Sequence, residues 1–319
     1  MNDIELKEAD RAEICVLVDN YSDLFLADSE GVKRMRTLPP NAPMAEPGFS
    51  CLIRVVCGEE EHIVLFDAGI SDTCLMHNAR MLASSRAVAK EEIGVHSKNI
   101  EAVVLSHGHF DHFGGLAGFL QLNREQMPVY VHPEAFVPRR YSKGQIQSDM
   151  PGLNETALEE VGASLQKRAG AGTIASDLIL VSGEVERTTD FEKGMPGMEA
   201  EIDGEWIADP FRDDQALAIL VKGKGLVVIG GCSHAGIINT VQHLRKITGE
   251  DRVHGVLGGF HLAGDNERVI EPTISEMKKI GPDFVAPMHC TGWKAINQFA
   301  EQMPDSFLLN SVGTTFIFE

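Results

Sequence analysis

Residues 107–112 read His-Gly-His-Phe-Asp-His, which puts three imidazoles and a carboxylate within six positions. No other stretch narrows fold and chemistry as far. The run before it, Glu101-Ala-Val-Val-Leu105, is mostly apolar and valine-rich, so it reads as a buried strand. The histidines then occupy the loop leaving that strand's carboxyl end, where a rigid scaffold commonly presents a site. Imidazole and carboxylate are ligands that hard and borderline divalent metals take up, and close spacing lowers the ordering cost. In an extended segment His107 and His109 can point the same way, while Asp111 and His112 turn towards a second position. A lone histidine would read as a solvated loop residue. Four ligand-type side chains in this order, before Gly114-Gly115, read as a metal site. His107, His109, Asp111 and His112 are its expected ligands, with Asp111 and His112 also the expected catalytic groups.

Charge limits the partners. Forty-seven acidic against 28 basic residues give a net charge of −19, with no basic block. A phosphate backbone would be repelled by most of such a surface, so no nucleic acid is expected. No apolar run approaches the ~20 residues that cross a bilayer, and the amino terminus lacks the layout of a secretory signal. Cys15, Cys51, Cys57, Cys74, Cys232 and Cys290 show neither paired-ligand spacing nor disulfide density. The expectation is a cytoplasmic protein with reduced thiols, no membrane partner and a small-molecule substrate. Its oligomeric state is not legible.

Apolar runs mark strands at 14–18, 51–56, 62–66, 129–131, 179–181, 217–221, 226–229, 253–257, 284–286 and 314–318. Helices are expected at 71–90, 115–122, 155–167, 235–247 and 272–280. Four prolines within 38–47 demand an irregular surface loop. Strands dominate early and strand–helix alternation later, which is an α/β pattern. With no fixed-period repeat and no break in composition, residues 1–319 read as a single domain.

The pattern His107-x-His109-x-Asp111-His112 resembles the signature of the metallo-β-lactamase superfamily, which holds hydrolases, oxidoreductases and a few transferases. That resemblance implies a four-layer αββα sandwich with one or two divalent metals at one edge between two sheets. Zinc is the first expectation, with iron or manganese as alternatives. It also implies two more histidine ligands from downstream strand ends. Strand 226–229 leads through Gly230-Gly231 into Cys232-Ser233-His234, and strand 284–286 through Pro287-Met288 into His289-Cys290, so His234 and His289 are expected there. Many dinuclear members have an aspartate where this chain has Cys232. Its thiolate can ligate a metal, or it can be a buried neutral thiol beside His234. Asp67, ending its strand, is expected to hydrogen-bond a ligand histidine. His261 is expected to line the pocket, with a ligand role as the alternative; His132 reads as structural, and His62, His77, His96, His243 and His254 receive no role.

Several segments are similar to one branch. They are Val18-Asp19-Asn20, Gly48-Phe49-Ser50, Asp209-Pro-Phe-Arg-Asp-Asp-Gln215, Gly231-Cys-Ser-His-Ala-Gly-Ile-Ile-Asn239, Gly258-Gly-Phe-His-Leu262 and His289-Cys-Thr-Gly292. They resemble the dihydropterin synthases of methanopterin biosynthesis and their bacterial relatives. The archetype of that branch joins a hydroxymethyl-dihydropterin diphosphate to a ribofuranosyl-aminobenzene phosphate and expels pyrophosphate. Two segments depart from its pattern: Glu46-Pro47, where relatives often carry a histidine, and Gly183-Glu-Val-Glu-Arg187, where Gly-Glu-Ile-Pro-Arg is usual. Arg187, Asp19 and Asn20 are candidate substrate-binding residues, while Lys222 and Lys224, weighed as phosphate contacts, read as exposed loop charges. The alternative activity is metal-dependent hydrolysis of a phosphodiester, lactone or thioester. An alternative of another class is a degenerate ligand-sensing or partner-binding module, against which the complete first motif argues.

Overall fold

Strand residues alternate between two apolar clusters. Along Arg11–Val18, Ile14 and Val16 join one cluster while Cys15 and Leu17 join another. Val64 and Phe66 part from Ile63 and Leu65 along Glu60–Phe66, and Val227 and Ile229 part from Leu226 and Val228 along Gly225–Gly230. A period of two with both faces buried requires cover on both sides of the sheet. The computed structural model describes residues 4–37, 41–89, 99–122 and 125–319, with backbone alone over 83–89.

Two large sheets result. The eight-stranded one runs Ala163–Lys167, Met127–Val131, Ala102–Val104, Glu60–Phe66, Ser50–Cys57, Arg11–Val18, Thr315–Phe318, Val32–Lys33. The seven-stranded one runs Gly172–Ile174, Ile179–Val181, Leu217–Val221, Gly225–Gly230, Val253–Gly259, Phe284–Met288, with Glu8–Ala9 also paired to Leu217–Val221. Ile53, Phe66 and Val104 from the first meet Ile219, Ile229 and Leu257 from the second in the shared core. The outer face of the first sheet packs on Leu75 and Leu82 of helix Asp72–Ala89 and on Leu116 and Leu120 of helix Leu116–Gln121. The outer face of the second packs on Val241, Ile274 and Phe299 from helices Ile237–Thr248, Ile270–Ile280 and Trp293–Gln302. Each fully buried side chain of this size contributes roughly 1.5–3 kcal/mol. The order is helix, sheet, sheet, helix, as the resemblance implies.

Strand direction positions the site. Glu60–Phe66 and Ala102–Val104 run parallel in one sheet, and Gly225–Gly230, Val253–Gly259 and Phe284–Met288 run parallel in the other. Their carboxyl ends release residues 67, 105–112, 231–236, 260–262 and 289–292 at one edge of the sandwich, where the imidazole contacts given below bring them together.

Two expectations change. The helix expected over 155–167 covers only Glu155–Glu160, capped by Asn154 Oδ1 accepting from Ala157 N at 2.9 Å. Gly162 then takes φ 104, and Ala163–Lys167 pairs in parallel with Met127–Val131. A long-range ladder overrides local helical propensity here. Strands Arg139–Lys143, Ile146–Asp149, Met198–Ile202 and Glu205–Ala208 form a small separate sheet that no apolar run announced. Lys90 and His96 lie outside the described residues. Among the described residues no helix is long and apolar enough to cross a membrane.

Candidate metal centre

The first loop holds its imidazoles by their back nitrogens. Asp67 accepts from Ser106 N and Ser106 Oγ, both at 2.7 Å, and from His112 Nδ1 at 2.6 Å. Ser106 Oγ has one proton and gives it to Asp67, so at 2.9 Å it accepts from His107 Nδ1. Both rings thereby carry a proton on Nδ1 and turn the lone pair of Nε2 inward. Asp67 is thus bonded directly to His112 and, through Ser106, to His107.

Loops from the second sheet bring the rest. His112 Nε2 lies 3.1 Å from Cys232 Sγ and 3.2 Å from His289 Nε2, which is itself 3.3 Å from Asp111 Oδ2. His234 Nε2 lies 3.1 Å from His109 Nδ1, and its ring stacks on Phe211 at 4.4 Å. Among the described residues there are three sets within each of which the ligand atoms lie within 4.8 Å of one another: Asp111, His112, Cys232 and His289; His107, Cys232 and His234; and Cys232, His261 and Cys290. Cys232 belongs to all three. The thiol sits at the middle of the group rather than behind it, and Cys290 is a neighbour that spacing did not reveal.

The donor set fits a divalent cation. Among the described residues, seven imidazoles have a buried ring nitrogen without a hydrogen-bond partner, and five of the seven are gathered here: Nε2 of His107 and His109, and Nδ1 of His234, His261 and His289. Each such atom costs about 1–3 kcal/mol left alone, and a cation at the set that includes His107 relieves its inward-facing Nε2. Burial, reinforced by the neighbouring histidines, drives the pKa of His107 well below its ordinary value. Burial lowers that of His109 to about 3. Both are therefore neutral, as ligands must be. Burial opposes the charged form of His112 as well, but the carboxylates of Asp111 and Asp67 overcome it and raise its pKa to about 9, so uptake of a cation at His112 would release the Nε2 proton and leave the neutral, Nδ1-protonated ring.

Buried ion pairs lock the loop. Arg139 Nε donates to Asp209 and Arg139 Nη2 to Asp213, both at 2.7 Å, and Asp213 Oδ2 accepts from Gly108 N at 2.8 Å. A Cβ on Gly108 would stand 2.0 Å from Ala135 O, so only glycine fits between the two histidines. Asp214 Oδ2 accepts from Ala235 N at 2.8 Å, next to His234. The segment 209–215 stood out in the sequence, whereas Arg139, in a strand with no apolar signal, did not.

Asp19 and Asn20 meet the centre through the backbone. Asp19 Oδ1 accepts from His289 N at 2.8 Å, and Asn20 Nδ2 donates to His289 O at 3.0 Å. Arg187 is not brought to the imidazole group. It is exposed, donates to Pro210 O at 2.6 Å, and lines a separate hollow of about 670 Å3 with Glu186, Arg212 and His243. Lys222 and Lys224 sit in the turn at the far end of Gly225–Gly230, about 20 Å from Cys232 at strand rise, which rules them out as contacts at the centre. His132 Nδ1 accepts from Glu134 N at 3.1 Å, at the start of the short helix Pro133–Phe136.

Known proteins agree with this architecture. Residues 45–237 match the family model of the metallo-beta-lactamase superfamily. A 7,8-dihydropterin-6-methyl-4-(beta-D-ribofuranosyl)-aminobenzene-5'-phosphate synthase from Methanocaldococcus jannaschii is 32% identical over 279 residues, covering 84% of this chain and 88% of that protein. An uncharacterised protein of the same organism is 31% identical over 275 residues, covering 84% and 92%. A solved structure described as a metal-dependent hydrolase of the beta-lactamase superfamily superposes with a TM-score of 0.72 at 26% identity, over 97% of this chain and 98% of that one. Fold, loop order and family match converge: the chain belongs to the metallo-β-lactamase superfamily.

Proposed function

We propose that residues 1–319 act as one domain, a metal-dependent enzyme that joins a dihydropterin carried on a diphosphate to an arylamine. One observation carries the reading: 32% identity along 84% of the chain to a synthase named for that product. The gathered imidazoles support its metal dependence. Divalent ions held by His107, His109 and His234, and by Asp111, His112 and His289 with Cys232 between, would neutralise the charge collecting on a departing diphosphate.

The chain's own groups prepare that step. Asp67 and Ser106 keep Nδ1 of His107 and His112 protonated and Nε2 inward. Arg139 and Asp213 hold Gly108, and with it the angle between His107 and His109. Asp111 is 24% exposed while His107, His112 and His289 are closed off, so it is the carboxylate a substrate reaches. In the reaction the amine lone pair forms the C–N bond at the exocyclic methylene. The C–O bond breaks with its electrons leaving on pyrophosphate, and the amine proton passes to solvent water.

A second reading, hydrolysis with water in place of the arylamine, is favoured by the 26% identity to the structure described as a hydrolase. Elemental analysis of protein purified without added metal, beside a pyrophosphate-release assay with both substrates, separates the two. Metal with release supports the synthase. Metal without release removes it and directs screening to phosphodiesters, lactones and thioesters. A chain that takes up no metal after reconstitution sinks both.

A further inference from the structure

Beside the imidazole group lies a hollow of about 240 Å3, walled by His289, Asp19, Tyr21, Trp293, Ile296 and Asn310 among others. Pockets that bury drug-sized ligands measure roughly 300–1,000 Å3, so this smaller space suits one flat ring system rather than a whole phosphorylated substrate. Its chemistry is one-sided. Among the described residues no lysine or arginine lines it, and Asp19 contributes a carboxylate that is 2% exposed. A phosphate would find a like charge there and no cation.

What the hollow offers instead is acceptors and an aromatic face. Asn310 is 2% exposed, and its Nδ2 donates to Asp19 Oδ2 at 2.7 Å. That bond fixes which end of the amide is which. It leaves Asn310 Oδ1 buried and without a partner among the described residues, a cost that a ligand N–H relieves. Trp293 opens helix Trp293–Gln302 and is 72% exposed, although an indole has much to gain from being covered. Gly292 before it takes φ 82 with its Cβ position 2.8 Å from Ala263 Cβ, which fixes the turn that presents the indole. The Tyr21 hydroxyl is engaged by Asp23 at 2.8 Å, so its ring is what remains for a ligand.

We infer that this hollow seats a planar nitrogen heterocycle bearing N–H donors, stacked on Trp293 and hydrogen-bonded to Asn310, with its substituent directed past His289 to the imidazole group. The inference rests on the proposed substrate being a ring joined to a diphosphate. The ring takes the cation-free hollow, and the diphosphate takes the centre. Stacking is tolerant of ring identity, whereas a buried acceptor rejects rings that lack a donor at that edge.

The probe is 7,8-dihydropterin, which has the ring and no phosphate, titrated calorimetrically into metal-loaded protein without oxygen. Wild type binds it. Trp293→Ala and Asn310→Leu each bind about tenfold more weakly or worse, the scale of one lost stack or one stranded acceptor, and Trp293→Phe recovers most of the loss. Metal content is measured on every variant, and Trp293→Ala, remote from the Asp19 hydrogen bonds, decides if Asn310→Leu loses metal. The chain has two tryptophans, so in a Trp206→Phe background Trp293 emission alone reports the titration. No binding by wild type, or equal binding by wild type and both variants, overturns the inference. Pyrophosphate release on the same preparations keeps the two ideas apart. Release with an indifferent hollow removes the ring seat and leaves the synthase; ring binding without release removes the synthase and leaves the seat.

Discussion

The two ends of the same strands solve the same turning problem differently. Strand Glu60–Phe66 is approached through Gly58 at φ 59 and left through Asp67 at φ 57. Strand Gly225–Gly230 is approached through Gly223 at φ 69 and followed by Ser233 at φ 55. Strands Val253–Gly259 and Phe284–Met288 are likewise followed by His261 at φ 43 and His289 at φ 53. Glycine adopts this region freely, while any other residue gives up roughly 1–2 kcal/mol. A Cβ at Gly58 or Gly223 would meet nothing within 4 Å, so those glycines answer to conformation alone. At the carboxyl ends the strain is kept because the side chain is wanted. Of nine described non-glycine residues at positive φ, Asp67, Phe211, Ser233, His261 and His289 belong to the centre, and the other four lie elsewhere. Strain collected at one edge marks where selection acted on chemistry rather than on stability.

The sharpest way to break this contrast is to remove a ligand. His109→Ala should abolish metal uptake at its position and bring activity to background, with folding retained. Metal analysis and turnover equal to wild type would refute the site. Asp67→Gly comes next and is the more telling variant. It relaxes the backbone but strands Ser106 N, Ser106 Oγ and His112 Nδ1. Loss of such a supporting carboxylate typically costs 10–100-fold in metal affinity or activity. If Asp67→Gly is instead as active as wild type, the strain serves nothing. Cys232→Ser should lower metal stoichiometry, because the thiol is shared by all three sets of ligand atoms. Unchanged stoichiometry would make it a packing thiol.

What sequence could tell follows the same divide. His107, His109, Asp111 and His112 were legible because four ligand types share one loop. His234 and His289 became legible only as strand-end histidines once that loop was read. Cys232 was visible as a residue but not as the common member of three groups, since that depends on loops 231–236 and 289–292 meeting. Asp19 and Asn20, candidates for substrate in the sequence, line the hollow beside the centre and also hold His289 through its backbone, a contact 269 and 270 residues away in the chain that local sequence does not show. Arg187 carried a charge and a family segment, but neither predicts which hollow a loop faces. The strand Ala163–Lys167 was hidden for a related reason: its partner Met127–Val131 is a separate segment, and local propensity there favours helix.

The two ends also differ in how helices are capped. Helices Ile237–Thr248 and Ile270–Ile280 finish on Gly249 at φ 71 and Gly281 at φ 66, local solutions that need no partner. The start of Ile237–Thr248, just beyond the centre, borrows Glu192 instead, which accepts from Ile238 N and Asn239 N at 2.9 Å each. Burial raises the Glu192 pKa from 4.5 to about 7 in the folded chain, against the pull of those N–H groups. The folded state therefore holds the proton more tightly than the unfolded one. Stability from this group is complete below about pH 4.5 and is lost as pH rises to about 7, by about 3 kcal/mol at roughly 1.4 kcal/mol per pKa unit. Glu192→Gln should remove that dependence. Urea unfolding at pH 5 and pH 8 should show wild type losing about 3 kcal/mol relative to the variant, and parallel behaviour would place the proton elsewhere. Asp213 and Asp214 titrate in both proteins and cancel in the difference.

The smallest effect belongs at the amino ends, and it completes the contrast. Gly58→Ala puts a methyl group into open space, so the only cost is holding alanine at φ 59, about 1 kcal/mol. The hairpin between Ser50–Cys57 and Glu60–Phe66 should persist, because its ladder from Cys51↔Phe66 to Cys57↔Glu60 does not depend on the turn residue's side chain. Asp67 lies nine residues on, just past the opposite end of the strand, so its bonds to Ser106 and His112 are untouched. The urea midpoint should fall slightly at unchanged slope, with metal content and turnover equal to wild type. A loss of metal in Gly58→Ala would show that turn geometry is transmitted along the strand to Asp67, and the two ends would then be one strained unit rather than two independent solutions.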